Sequence, residues 1–410
     1  MPTLGFAACT RPQVQSGKCL EEDLMKVAYA STYDPTDPKA IDGRGYYMAQ
    51  SLGKQLSLQY VGPLSNKRYF FAIRVKRGFY RRVGKKKYTP ERDRLLIKDY
   101  ARQISAKLTR LNADIILSPM SPGSQPIAYL ECEQPIVIWT DTTLAGAMDI
   151  YPGLSRSTLC RETIRDGLAN EQAALTNSSL AIYSSEWAAQ TAINNYQIDA
   201  AKVKVVPFGA NIECDRTFDD IKAIVDSRPL NKCKLLFFGI DWYRKGGDVA
   251  FQIAKELNRA GLDTELTIVG CNPPIPAPRP DFVELVGYIS KSTQAGTNQI
   301  NRLLAEAHFL ILPTRADCTP TVFNEACSFG LPCVSSNVGG ISTIIRDGLN
   351  GKTFSRSADV SDYCTYISEM FSDYSRYRNL ALSSFGEYQY RLNWSVAALK
   401  VKKLLEELVS

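Results

Sequence analysis

The chain has 410 residues and a formal net charge of +7, with 45% hydrophobic and 22% charged residues, a balance suited to a globular protein with room for two or three domains. No run reaches the ~18 consecutive apolar residues of a membrane-spanning helix, and residues 1–20 lack the basic start and apolar stretch of a secretory signal, so a cytoplasmic location is expected. Eleven cysteines without a C-x-x-C pair point to reduced thiols rather than a disulfide framework or a zinc site. The single histidine, His308, opens an apolar run and reads as a packing residue; a Ser-His-Asp triad and a His-rich metal site are excluded. Proton transfer then falls to carboxylates or to the substrate itself.

In chain order, KVAYAS (26–31) reads as a strand, the glycine-containing IDGRGYYMAQSL (41–52) as a turn running into a helix, and LSLQYVG (56–62) as a second strand. Between Lys67 and Lys87 lie ten basic residues (Lys67, Arg68, Arg74, Lys76, Arg77, Arg81, Arg82, Lys85, Lys86, Lys87) and no acidic one, interleaved with Phe70, Phe71, Phe79 and Tyr80. Two readings stay open: a solvated basic loop, or a patch that meets anionic lipid headgroups or an anionic acceptor and holds the protein on the cytoplasmic membrane face. Nucleic acid is not expected as a partner, because no recognisable binding module accompanies the patch.

An amphipathic helix follows over 90–108, then short apolar strands at 113–119, 135–141 and 180–185, with 202–211 closing the first half. Residues 212–232 are polar and mixed and read as a link between domains. A second alternation has strands at 234–239, 264–270, 282–287 and 308–313, helices at 248–261 and 298–307, and an amphipathic helix at 394–409. Such alternation predicts parallel sheets with crossover helices. Two open α/β units facing a cleft would bind ligands at the carboxyl ends of their strands.

Two segments carry chemistry. In HFLILPTRADCTPTVFNEACSFGLPCV (308–334) a strand ends at Pro313, and a loop presents Arg315 and Asp317. A helix is then expected to start with Thr319 as N-cap and Pro320 as its first residue, its free N–H groups making an anion site suited to a diphosphate. Thr321 and Glu325 share one helical stripe, while Val322, Ala326 and Phe329 face the sheet. In LLFFGIDWYRKGGDVAF (235–251) a buried strand ends at Gly239, and Arg244 and Lys245 precede Gly246-Gly247. Two cations at a strand's carboxyl end are what a leaving diphosphate requires. No G-x-G-x-x-G is present, which disfavours a dinucleotide-dependent dehydrogenase.

Together these segments resemble the retaining glycosyltransferases of family 4. The likeness rests on D317-x7-E325 as a version of that family's E-x7-E, on G239-x4-R244-K245-G246, on Gly287 in VELVGYISK, and on SSEWAA (184–189) followed by KVKVVPFGAN. It implies the α/β GT-B fold, two Rossmann-like domains facing a cleft. The first would span 1–212, rejoined by a C-terminal helix at 390–410, and the second 213–389.

By the same resemblance Glu325 would hold the donor ribose and Asp317 the hydroxyls of the transferred sugar. The backbone of Thr319, Pro320, Thr321 and Val322 would cradle the diphosphate, with Arg244 and Lys245 neutralising its charge. The backbone around Gly287, Tyr288 and Ile289 would pair with a uracil or guanine edge. Gly239 would shape the donor loop, Gly43 and Gly45 would face the donor phosphates, and Asp141 would stand at the active-site acid position of the first domain. The acceptor, a lipid or carbohydrate, would bind in residues 1–180. No D-x-D motif occurs, so neither a metal nor a cofactor is expected.

The chain departs from the family in having Asp317 for its first Glu, Cys318-Thr319-Pro320 for Gly-Phe-Gly, Ile240 for the Arg after the strand glycine, and Thr343 for a Glu after the Gly-Gly turn. Two competing readings are a nucleotide-sugar epimerase of similar layout and a nucleotide-sugar binding protein without catalysis.

Overall fold

The computed structural model describes residues 24–119, 124–275 and 277–410; the reading of residues 1–20 as lacking a signal lies outside them. In the first half, β1 (Lys26–Tyr29), β2 (Ser57–Tyr60), β3 (Ile115–Pro119), β4 (Ile136–Thr140), β5 (Leu180–Tyr183) and β6 (Val203–Val205) form a parallel sheet in the order β2-β1-β3-β4-β5-β6. In the second half, β7 (Cys233–Phe238), β8 (Thr264–Val269), β9 (Val283–Gly287), β10 (Phe309–Leu312), β11 (Cys333–Ser336) and β12 (Gly351–Phe354) are ordered β12-β11-β10-β7-β8-β9, again all parallel. Every residue of β3, β4, β5 and β10 is buried, as strands covered by helices on both faces require. This is the two-Rossmann-like-domain GT-B architecture expected from the sequence.

The strand order reverses beside β1 in the first sheet and beside β7 in the second. At such a reversal the chain leaves neighbouring strands in opposite directions and opens a crevice beyond their carboxyl ends. The loops after β7 and β10 therefore belong to one crevice.

Two sequence readings are corrected. Residues 212–232 are not simply a link: the helix Phe218–Asp226 opens with a capping box between Thr217 and Asp220, and buries Ile221 and Val225 in the second domain's core. Segment 67–87 is not a loop either; it holds the helix Phe70–Val83. His308 is the packing residue expected: it is fully buried, its Nδ1 accepts from Lys234 N at 3.0 Å, and burial pushes its pKa down to about 3.

The helix Trp394–Val409 returns to the first domain, where Trp394, Ala397, Ala398, Val401 and Leu405 pack with Val27, Tyr29, Met48, Leu52 and Phe208. Trp394 stacks on Phe208, with ring centres 5.4 Å apart, and donates from Nε1 to Asn211 Oδ1 at 3.1 Å. Gly209 lets the two segments touch, since a Cβ there would lie 2.1 Å from Trp394 N. Gly209→Ala is expected to lower unfolding stability by about 1–3 kcal/mol through overpacking. Urea denaturation checks this, and an unchanged midpoint would show that the helix can shift freely.

Candidate functional site

The site begins with the two loops at the second sheet's reversal. Gly246 has φ +76°, and a Cβ on it would fall 1.9 Å from Pro313 O, so the β7 loop can press on the β10 loop only with glycine there. At Gly239 a Cβ would meet Lys245 Cγ at 3.0 Å. The contact brings both expected cations onto one carboxylate. Lys245 Nζ donates to Asp317 Oδ2, and Arg244 Nη1 lies 3.4 Å from the same oxygen while also donating to Ala316 O at 2.9 Å. Arg315 turns away to pair with Asp248 at 2.7 Å and is not part of this group. Behind Asp317, Gly339 (φ +54°) would put a Cβ 1.9 Å from Asp317 O, and Gly340 N donates to Cys318 O at 2.8 Å. The Gly-Gly turn thus fixes the loop.

The next helix starts later than its sequence suggests. It spans Thr321–Cys327 with Pro320 in the N-cap position, so Thr319 is not the cap and Pro320 is not its first residue. Thr319 Oγ1 instead meets Ser184 Oγ of the first domain at 2.6 Å, which removes its side chain from the helix. Val322 packs on the second core as expected, and Thr321 is partly exposed.

Glu325 is 1% exposed. Its Oε1 accepts from Lys291 Nζ at 2.5 Å, while its Oε2 has no hydrogen-bond partner. A buried acceptor left unpaired costs about 1–3 kcal/mol. Lys291 follows Gly287 (φ +75°), exposed Tyr288 and buried Ile289, so the segment after β9 borders Glu325.

The first domain contributes the turn after β1 and the helix that follows it. Ile41, Asp42 and Gly43 have φ of 49°, 56° and 87°, a left-handed run that costs energy at the β-branched Ile41. Asn211 Nδ2 holds it by donating to Asp42 O at 3.2 Å. Gly43 caps the helix Arg44–Gly53, and Gly45 is packed so tightly that a Cβ would lie 2.5 Å from the Tyr33 ring. On that helix, burial and then the charges of Glu213 and Glu325 push the Tyr47 phenol up to about 12. Tyr47, on the helix that follows the glycine turn, thus lies within reach of the Glu325 charge.

Asp141, after β4, pairs with Arg44 Nη1 at 3.0 Å. Both line a cavity of about 200 Å³ with Arg92, Tyr151, Glu171 and Cys318. Tyr151 OH accepts from Cys318 N at 3.1 Å, so this cavity ends beside Asp317. At its other end Glu171 accepts from Leu144 N at 2.7 Å and from Tyr196 OH; burial raises its pKa. Arg92 Nε is buried there with no partner. The open hydrogen-bonding capacity at that end is that of a cationic donor.

Sequence reasoning missed Arg44, Arg92, Tyr151, Glu171 and Lys291. A signal existed for two of them: Arg44 sits between Gly43 and Gly45, and Lys291 lies four residues past Gly287. Among the described residues, no three His, Cys, Asp or Glu side chains gather as a metal ion would need. No helix among them is long and apolar enough to cross a membrane.

Residues 232–373 match the family described as glycosyl transferases group 1. That segment contains Arg244, Lys245, Asp317, Glu325 and Lys291. A D-inositol 3-phosphate glycosyltransferase of Nocardia farcinica is 26% identical over 208 residues, covering 47% of this chain and 45% of the relative. An alpha-D-kanosaminyltransferase of Streptomyces kanamyceticus is 28% identical over 133 residues, covering 31% and 32%. The chain spans about half the length, or less, of these curated relatives. Among solved structures, sucrose-phosphate synthase of Thermosynechococcus elongatus superposes with a TM-score of 0.62 at 14% identity over 94% of this chain and 99% of its own. Anabaena Alr3699/HepE in complex with UDP-glucose gives 0.58 at 13% identity over 93% and 100%. These likenesses establish the fold, with the group 1 segment forming its second domain.

Proposed function

We propose that the chain is a retaining glycosyltransferase, metal-independent, that moves a hexosyl unit from a UDP- or GDP-linked sugar to an acceptor hydroxyl. The observation that carries this is the unpartnered Oε2 of Glu325, a buried carboxylate oxygen on the helix that follows the Asp317 loop, where two cations cluster. A ribose hydroxyl donated to it would supply the missing bond. A bound UDP-glucose in a structural neighbour and the group 1 match support the same donor class.

In this reading Arg244 and Lys245 shift from Asp317 toward the diphosphate, and the backbone of Thr319 to Val322 meets its oxygens. Asp317, released, accepts from the sugar's hydroxyls. The acceptor hydroxyl attacks the anomeric carbon from the face the diphosphate leaves, so one C–O bond breaks as another forms and configuration is kept. The hydroxyl proton goes to the departing phosphate oxygen or to Asp141, which Arg44 holds in place. The cavity beneath Asp141 seats the acceptor.

Thermal unfolding with UDP-, GDP- and ADP-sugars tests the donor: at about 100 times Kd a ligand specific for the folded state adds about 2.7 kcal/mol. A flat response to every nucleotide sugar would sink the proposal, and an inverted anomer in the product would remove the retaining step. If the cavity seats the acceptor through Arg92, Arg92→Met should raise the acceptor KM about tenfold or more with donor affinity unchanged, the loss of one hydrogen bond from a charged group. An unaltered acceptor KM would place the acceptor elsewhere.

A further inference from the structure

The helix Phe70–Val83 divides its surface three ways. Tyr69, Ile73, Lys76 and Tyr80, at helical spacing, face the protein: Tyr69 and Ile73 pack on the first core, Lys76 Nζ pairs with Asp93 at 2.6 Å and Glu162 at 2.7 Å, and Tyr80 OH donates to Glu162 at 2.8 Å. The helix is thus fixed as a rigid ridge. Phe71, Val75 and Phe79 form a second stripe at i, i+4 and i+8, exposed by 78%, 52% and 56%. Arg74, Arg77 and Arg81 form the third, with Arg82, Lys85 and Lys87 beyond; none of these six cations enters an ion pair with a described residue.

An apolar stripe flanked by unpaired cations is the pattern of a helix lying in a lipid interface. We infer that this ridge docks the protein, in the plane of the helix, on an anionic lipid surface: the arginines meet headgroup phosphates and Phe71, Val75 and Phe79 enter the acyl boundary. A second copy fits the face less well, because it would press its own cations against these. The ridge also adjoins the cavity below Asp141, since Asp93, its ion-pair partner, directly follows Arg92, which lines it. The inference does not depend on the proposed reaction.

Sedimentation of the full chain with vesicles of phosphatidylcholine containing phosphatidylglycerol tests it. Binding is expected at low salt, weakening steeply in high salt and on pure phosphatidylcholine. Phe71→Ser/Val75→Ser/Phe79→Ser should lose about tenfold or more in partitioning. Its thermal midpoint should stay that of the wild type, because the replaced side chains are exposed. Arg74→Gln/Arg77→Gln/Arg81→Gln should lose a similar factor on the anionic vesicles. Undiminished binding of either variant, equal binding to neutral vesicles, or no binding at low salt would overturn the inference. So would retention on an oligonucleotide, or a concentration-dependent dimer abolished by the same substitutions, without vesicle binding.

Discussion

Replacing Arg244 and Lys245 together by Ala is expected to lower kcat for nucleotide-sugar transfer by about 10²–10³ or more, the scale of losing a preorganised charge aimed at a transition state. Both side chains are on the β7 loop and both reach Asp317, so each single substitution should retain part of the effect. The double change also leaves Asp317, 10% exposed, without its cations. A lone buried carboxylate destabilises the fold, and that loss could mimic a catalytic one. Adding Asp317→Asn relieves the structural part, and the single Asp317→Asn variant, which lacks the carboxylate but keeps both cations, sets the reference. If the defect were only structural, the triple variant would match that reference in thermal midpoint and in turnover. The proposal expects its midpoint to match while its turnover falls about 10²–10³ below. Normal turnover by the double variant would end the assignment.

Glu325→Gln is expected to raise the Kd for the donor nucleotide by about ten- to a hundred-fold, the worth of hydrogen bonds to a charged group. The folded protein should lose little. Lys291 is 41% exposed and returns readily to water, and exchanging a buried carboxylate for an amide of the same shape removes a desolvation penalty. Calorimetric titration with UDP and with GDP, beside thermal unfolding without nucleotide, distinguishes the cases. A purely structural glutamate would show the reverse pattern, a lowered midpoint with unchanged affinity.

What could be read from the sequence was what repeats or lies close by. Strands such as Ile136–Thr140 are continuous apolar runs, and the Trp394–Val409 helix has a clean apolar stripe. Arg244, Lys245, Asp317 and Glu325 each follow a strand or sit on the helix after it, and short-range spacing suffices to find them. Their partners were out of reach because pairing in space leaves no period: Arg44 and Asp141 are 97 positions apart, Lys291 and Glu325 34. The helix Phe70–Val83 was hidden for a different reason. Its exposed faces are apolar and basic rather than simply polar, so the usual inside–outside alternation is missing. Phe218–Asp226 is too short for its two buried residues to form a pattern, although its capping box was visible. Thr319 and Pro320 satisfied a helix-start rule locally, yet the Ser184 hydroxyl, 135 positions away, claimed the threonine.

The return of Trp394–Val409 to the first sheet has a bearing on how the protein is made. On a ribosome, domains fold largely as units in order of emergence, at roughly 5–20 residues per second. Here the first domain's strands emerge early, but Trp394, Val401 and Leu405, which cover Val27, Met48 and Phe208, arrive only after the whole second domain. Until then the hydrophobic face around Trp139 and Phe208 stands uncovered, and the Asn211 side chain that braces the strained turn at Asp42 lacks its Trp394 partner. The nascent chain therefore passes through an interval with a folded second domain and an unsealed first, the stage at which a chaperone that recognises apolar surface would engage it.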